Sequence, residues 1–125
     1  QFEVQLSNHE VAACHCSMCR RQTGGPLISI DVENINFIDQ QYLSVFSSSE
    51  WGERGFCSAC GTFIFWRTKN HSFANINVFT LEQPPEDLNF NLEIYVDHQP
   101  AFYSFNNQTK KMTEAEVVAM FNSNQ

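Results

Sequence analysis

Apolar and polar residues alternate over much of the chain, and the alternation is broken by turn-forming residues. Phe2-Glu3-Val4-Gln5-Leu6 predicts a strand with one buried face; Ser7-Asn8-His9 predicts a turn, and Val11-Ala12-Ala13 a second strand that delivers Cys14 at its end. Leu27-Ile28-Ser29-Ile30-Asp31-Val32 alternates again. Residues 36–39 and 42–46 predict two further strands, and Ser47-Ser48-Ser49 with Gly52 predicts a loop. Thr62-Phe63-Ile64-Phe65-Trp66-Arg67 is rich in aromatic and β-branched residues and reads as a buried strand. Residues 73–80 and 92–96 supply two more, separated by the breaker Pro84-Pro85.

Helical signals are confined to two places. Ser17 can cap a short helix reaching Thr23, with Arg20 and Arg21 in its last turn, Gly24 just past its end and Pro26 blocking continuation. In the tail, Thr113 and Glu116 form a capping box, Met112 and Val117 are spaced as a hydrophobic staple, and Val117, Met120 and Phe121 share a face that should cover a sheet edge. With no internal repeat or linker, the expectation is a single domain over residues 1–125, mainly β, of short antiparallel strands with a short C-terminal helix.

Composition narrows the partners. A chain of 125 residues, 42% hydrophobic, has a modest core that a bound metal would reinforce. The formal charge of -7, with seven basic residues among fourteen acidic ones, argues against a nucleic-acid surface, because phosphate binding needs clustered cations. No stretch is apolar enough to span a bilayer and no signal peptide is visible. Oligomeric state is not legible.

The strongest chemical signal is cysteine. All five fall in two clusters, Cys14-His15-Cys16-Ser17-Met18-Cys19 and Cys57-Ser58-Ala59-Cys60-Gly61. Cys-x-x-Cys loops curl so that both sulfurs reach one ion, and Gly61 permits the left-handed turn such a knuckle uses. Zinc is the expected metal, one or two ions per chain, and cysteines in metal spacing suit a reducing, cytoplasmic compartment. Three plus two sulfurs is an awkward total. One closed four-thiolate site leaves a thiol over, whereas Cys14, Cys16 and Cys19 alone keep a fourth position open, as catalytic zinc sites do, and leave Cys57 and Cys60 two partners short. Because Gln1 opens on a strand already under way, the chain reads as truncated, with those partners expected upstream.

The side chains around the sulfurs allow two readings. Arg20 and Arg21 could hold a carboxylate by a guanidinium fork or simply complement a helix C-terminus, and Arg54 and Arg67 flank the second pair with the same ambiguity. His15 lies between ligand positions, so its ring should point away from the metal as a hydrogen-bonded or exposed side chain, with ligation or proton transfer as the lesser alternative, while His9, His71 and His98 read as surface residues.

Residues 14–24 with Phe56-Cys57-Ser58-Ala59-Cys60-Gly61, and more loosely Leu92-Glu93-Ile94-Tyr95-Val96-Asp97-His98-Gln99-Pro100-Ala101-Phe102, resemble the glutathione-dependent formaldehyde-activating enzyme and centromere protein V family. Two features depart from that pattern. The family's leading Cys-x-Cys-Gly is not present in these residues, and Gln99 and Phe102 stand where the family favours arginine and tryptophan. The resemblance implies rolled sheets of the β-tent type with the cysteine loops at one end. It also implies a zinc-dependent carbon–sulfur lyase that joins glutathione and formaldehyde as S-hydroxymethylglutathione, with Cys14, Cys16 and Cys19 on the reactive ion and Arg20 or Arg21 holding a glutathione carboxylate. The alternatives are a zinc-stapled β module used only for binding and, less favoured because no βαβ pattern surrounds it, a redox pair at Cys57 and Cys60.

Overall fold

The computed structural model describes residues 1–123. In chain order the elements are β1 (Phe2–Cys14), α1 (Ser17–Thr23), β2 (Leu27–Phe37), β3 (Leu43–Ser47), β4 (Gly52–Cys57), β5 (Phe63–Thr68), β6 (Ala74–Asn77), β7 (Asn89–Ile94), β8 (Lys110–Met112) and α2 (Glu114–Ser123). The protein is mainly β, as expected. The strands form one eight-stranded sheet in the order β3-β4-β5-β6-β2-β1-β7-β8.

Pairing is antiparallel from β3 to β1, but β7 joins β1 in parallel and β8 joins β7 in parallel, so the antiparallel expectation is corrected at that end. Parallel neighbours need a crossover. Here long irregular stretches carry the chain across the sheet.

Two predicted breaks vanish into longer strands. Ser7-Asn8-His9 does not turn the chain; β1 runs through it, and the register with β2 slips between Leu6 and Val11 instead. Asn8 Oδ1 accepts from the Glu10 amide at 2.8 Å, satisfying backbone that the slip frees from the ladder. Residues 36–37, expected in a separate strand, close β2, where Phe37 opposes Phe2. Of strand β4 only Gly52 was expected, and that in a loop, and β8 was not foreseen. Gly52 opens β4 and Gly55 lies within it, directly under Phe65: a Cβ on Gly55 would stand 2.2 Å from that ring. Glycine is there because the partner strand's aromatic fills its space.

The main core joins Val11, Ile30, Val32, Phe65, Ile76 and Val78, drawn from β1, β2, β5, β6 and the 3-10 turn Val78–Thr80. Helix α2 starts as predicted, with the Thr113 amide donating to Glu116 Oε1 at 3.0 Å and the Glu116 amide to Thr113 Oγ1 at 3.3 Å. Met112 and Val117 are buried, but Met120 is exposed, against expectation. The helix covers more than an edge. Its Phe121 packs on Trp51, Trp66 and Phe73, so it reaches β5 in the sheet interior. Among the described residues no helix is long and apolar enough to cross a membrane.

Following the strand directions locates the chemistry. Strands β1, β4 and β7 run the same way, since β4 and β1 are related through β5, β6 and β2 by an even number of antiparallel steps. Their C-terminal residues, Cys14, Cys57 and Ile94, therefore leave the same end of the sheet.

Candidate metal centre

A second buried cluster, Cys14, Cys19, Leu27 and Phe63, sits at that end, with Cys16, Trp66, Ile94 and Tyr95 packed around it. The Cys14, Cys16 and Cys19 sulfurs all lie within 4.8 Å of one another. Cys14 comes from the last position of β1, and Cys19 from the first turn of α1. Cys16, rather than the expected Ser17, caps that helix: its sulfur accepts from the Cys19 amide at 3.3 Å and lies 3.1 Å from the Cys19 sulfur. Gly24 ends the helix at φ 79° and donates to Arg20 O at 2.9 Å.

The sulfurs share their protons unequally. Hydrogen bonds from the Cys14 and Cys19 thiols, the Cys19 amide and the charge of Arg54 outweigh burial and pull Cys16 far down. The same hydrogen bonds to Cys16 and Cys19, with burial, push Cys14 up. At Cys19 the bond with Cys14 pulls down, but the bond with Cys16 and burial prevail and raise it to about 11. Sulfurs about 2.3 Å from a tetrahedral zinc stand about 3.8 Å apart. These three fit such an ion with small side-chain adjustments, and Cys16 is the partly exposed residue of the three.

Behind the loop lies a network that distance in sequence conceals. His15 is 0% exposed; its Nε2 is 2.9 Å from Glu93 Oε1, and its Nδ1 is 2.7 Å from the Tyr103 hydroxyl. A carboxylate can only accept, so Nε2 donates to Glu93 and, in the neutral ring, Nδ1 accepts from Tyr103. The other Glu93 oxygen accepts from the Thr109 hydroxyl, with Lys111 Nζ at 3.6 Å. Gln99 Nε2 donates to Tyr103 O at 2.7 Å, while Phe102 stands 79% exposed. The ring of His15 therefore turns away from the sulfurs, as expected. Its amide continues the β1–β7 ladder by donating to Ile94 O at 3.1 Å.

The arginines divide by position. Arg20 Nε donates to His15 O at 2.9 Å and so grips the loop backbone, whereas Arg21 is exposed. Arg54 is 4% exposed and reaches α1 from β4: one terminal nitrogen donates to Cys19 Sγ at 3.3 Å, the other to Gln22 Oε1 at 3.2 Å. Arg67 is paired with Glu53 at 2.8 Å, away from the sulfurs. Tyr95, in the left-handed region at φ 57°, is pushed up to about 12 by burial and by the negative charge of the three cysteines and Glu114.

Cys57 and Cys60 stand apart from this trio, the first ending β4 and half-buried, the second in the turn before β5 and exposed. The knuckle has its expected form: Gly61 takes φ 80°, its amide donates to Cys57 O at 2.7 Å, and the Cys57 amide donates to Thr62 O at 2.8 Å. Cys60 Sγ lies 3.0 Å from the Thr62 hydroxyl, and that bond, with those to the Thr62 backbone and to Cys57, lowers the Cys60 pKa.

Glu93, Tyr95 and Tyr103 escaped the sequence reading. The one available signal was a lone carboxylate inside the apolar run Leu92-Glu93-Ile94.

A fold with this thiol loop at one sheet end has relatives. Residues 1–98 match the model of the glutathione-dependent formaldehyde-activating enzyme family, and the chain belongs to that family. It is 28% identical over 117 residues, 90% of this chain and 83% of the relative, to an uncharacterized lyase of Schizosaccharomyces pombe. It is 29% identical over 94 residues to a Halomonas elongata protein named for the same formaldehyde-activating enzyme, covering 64% of this chain and 60% of that one. A crystal structure of a Rhodobacter sphaeroides protein shares the fold, with a TM-score of 0.54 at 22% identity over 68% of this chain and 82% of that chain.

Proposed function

We propose that the protein is a zinc-dependent carbon–sulfur lyase acting on the adduct of a small thiol, such as glutathione, with formaldehyde or a similar small carbonyl compound. The convergence of three cysteine sulfurs within 4.8 Å carries this reading. Three protein ligands suit an open site rather than a closed one. A zinc ion held there would supply Lewis acidity and lower the pKa of a thiol bound beside it.

The chain's own groups do the rest. Cys14 and Cys19, both buried, fix the base of the site, and half-exposed Cys16 marks its solvent side. Trp66, Ile94 and Tyr95 wall it with apolar surface that limits water. Arg21, exposed at the end of α1, offers a cation for a carboxylate of the thiol, while Arg20 is already engaged with His15 O. In the adduct-forming direction the sulfur–carbon bond forms as the carbonyl π bond breaks, and the thiol proton ends on the new hydroxyl oxygen. Cleavage is the reverse.

The test follows exchange between glutathione and formaldehyde by NMR. Zinc-loaded protein should accelerate exchange well above buffer, and Cys16→Ala should abolish the gain. Exchange no faster than buffer rejects the reaction. The burial of Cys14 and Cys19 favours a second reading, a zinc-stapled binding module, which predicts that same inactivity with zinc firmly retained.

A further inference from the structure

Arg54 is the least explained charge in the molecule. It is 4% exposed, yet the structure gives it no carboxylate among the described residues. Its partners are the Cys19 sulfur at 3.3 Å, the neutral Gln22 amide oxygen at 3.2 Å and the face of Phe63, 5.7 Å from its guanidinium carbon. Its buried Nε has no hydrogen-bond partner among the described residues. A buried cation without a counterion is costly. The anion that offsets it must therefore be the sulfur cluster.

We propose that Arg54 is a positioning residue that sets the charge of the metal centre and so makes its free position prefer an anionic ligand, a thiolate, over a neutral one. This rests on the zinc reading above. Three thiolates and one divalent cation sum to a single negative charge, which Arg54 cancels. A thiolate arriving at the fourth position then leaves the buried unit at one negative charge instead of two. A neutral ligand such as imidazole gains nothing comparable from the arginine.

The experiment uses cobalt(II) in place of zinc, with 2-mercaptoethanol and imidazole as probe ligands and the visible and near-ultraviolet cobalt bands as readout. Arg54→Met should weaken 2-mercaptoethanol binding about tenfold or more, the order expected for deleting a unit charge several ångströms from another inside a protein, and leave imidazole affinity nearly unchanged. Arg54→Lys, which keeps the charge, should retain most of the preference for the thiol. If Arg54→Met fails to fold or to take up cobalt, the lysine variant decides: retained preference supports the proposal, and loss overturns it. Equal weakening of both ligands, or of neither, also overturns it while leaving the metal site intact. A wild-type protein that takes up no cobalt at Cys14, Cys16 and Cys19 removes the zinc reading along with it.

Discussion

Glu93 is 1% exposed and meets His15, Thr109 and Lys111, so one carboxylate ties the cysteine loop to two strands and to the segment entering β8. Burial alone would raise its pKa; hydrogen bonds from Thr109 and His15, with the charge of Lys111, outweigh that and hold it below the usual carboxylate range. A depressed folded-state pKa contributes stability that is complete above the unfolded value, about 4.3, and is lost as pH falls through the folded value. Glu93→Gln should therefore lower stability by about 1–3 kcal/mol at neutral pH, because His15 loses an ionised acceptor. The gap from wild type should narrow in acid, below about pH 4. Urea unfolding across that range checks both; a gap constant with pH would show that the carboxylate's charge is not what matters. At this scale the sequence displayed the clustered thiols and hid their support. Cys14, Cys16 and Cys19 are local in sequence and could be recognised by spacing, whereas His15 and Glu93 are 78 residues apart. Only the parallel pairing of β7 with β1 brings them together.

Among the elements, β4 shows how a strand can be disguised. Two of its six residues are glycine, a composition that reads as loop, yet the strand pairs with both β3 and β5. Phe65, 0% exposed, occupies the space a side chain at Gly55 would need. Gly55→Ala should lower stability by about 1–3 kcal/mol through overpacking. Gly25→Ala, where an added Cβ meets nothing within 4 Å, serves as the control. Thermal unfolding compares them, and a neutral Gly55→Ala would mean that the ring moves freely. By contrast α1 and the start of α2 were legible because capping is local chemistry: Gly24 at one helix end, Thr113 with Glu116 at the other. Where Phe121 would land was not legible, since its partners Trp51, Trp66 and Phe73 lie on other elements.

For the whole molecule, the parallel attachment of β7 and β8 governs timing as well as shape. Thiols that are neighbours in sequence have two of their wall residues, Ile94 and Tyr95, and their clamp supplied from β7 and the segment beyond it. Closing so long a loop costs entropy before any contact repays it, and topologies of this kind fold slowly. The thiols are consequently synthesised early and sheltered late. Capture of an ion should trail sheet closure in refolding: stopped-flow mixing with cobalt(II) should show tryptophan fluorescence recovering first and sulfur-to-cobalt colour afterwards. Colour that leads would mean the loop organises itself around metal unaided. In a growing polypeptide the same order leaves three unscreened thiols waiting on strands not yet made, an interval in which oxidants and stray metals compete for them.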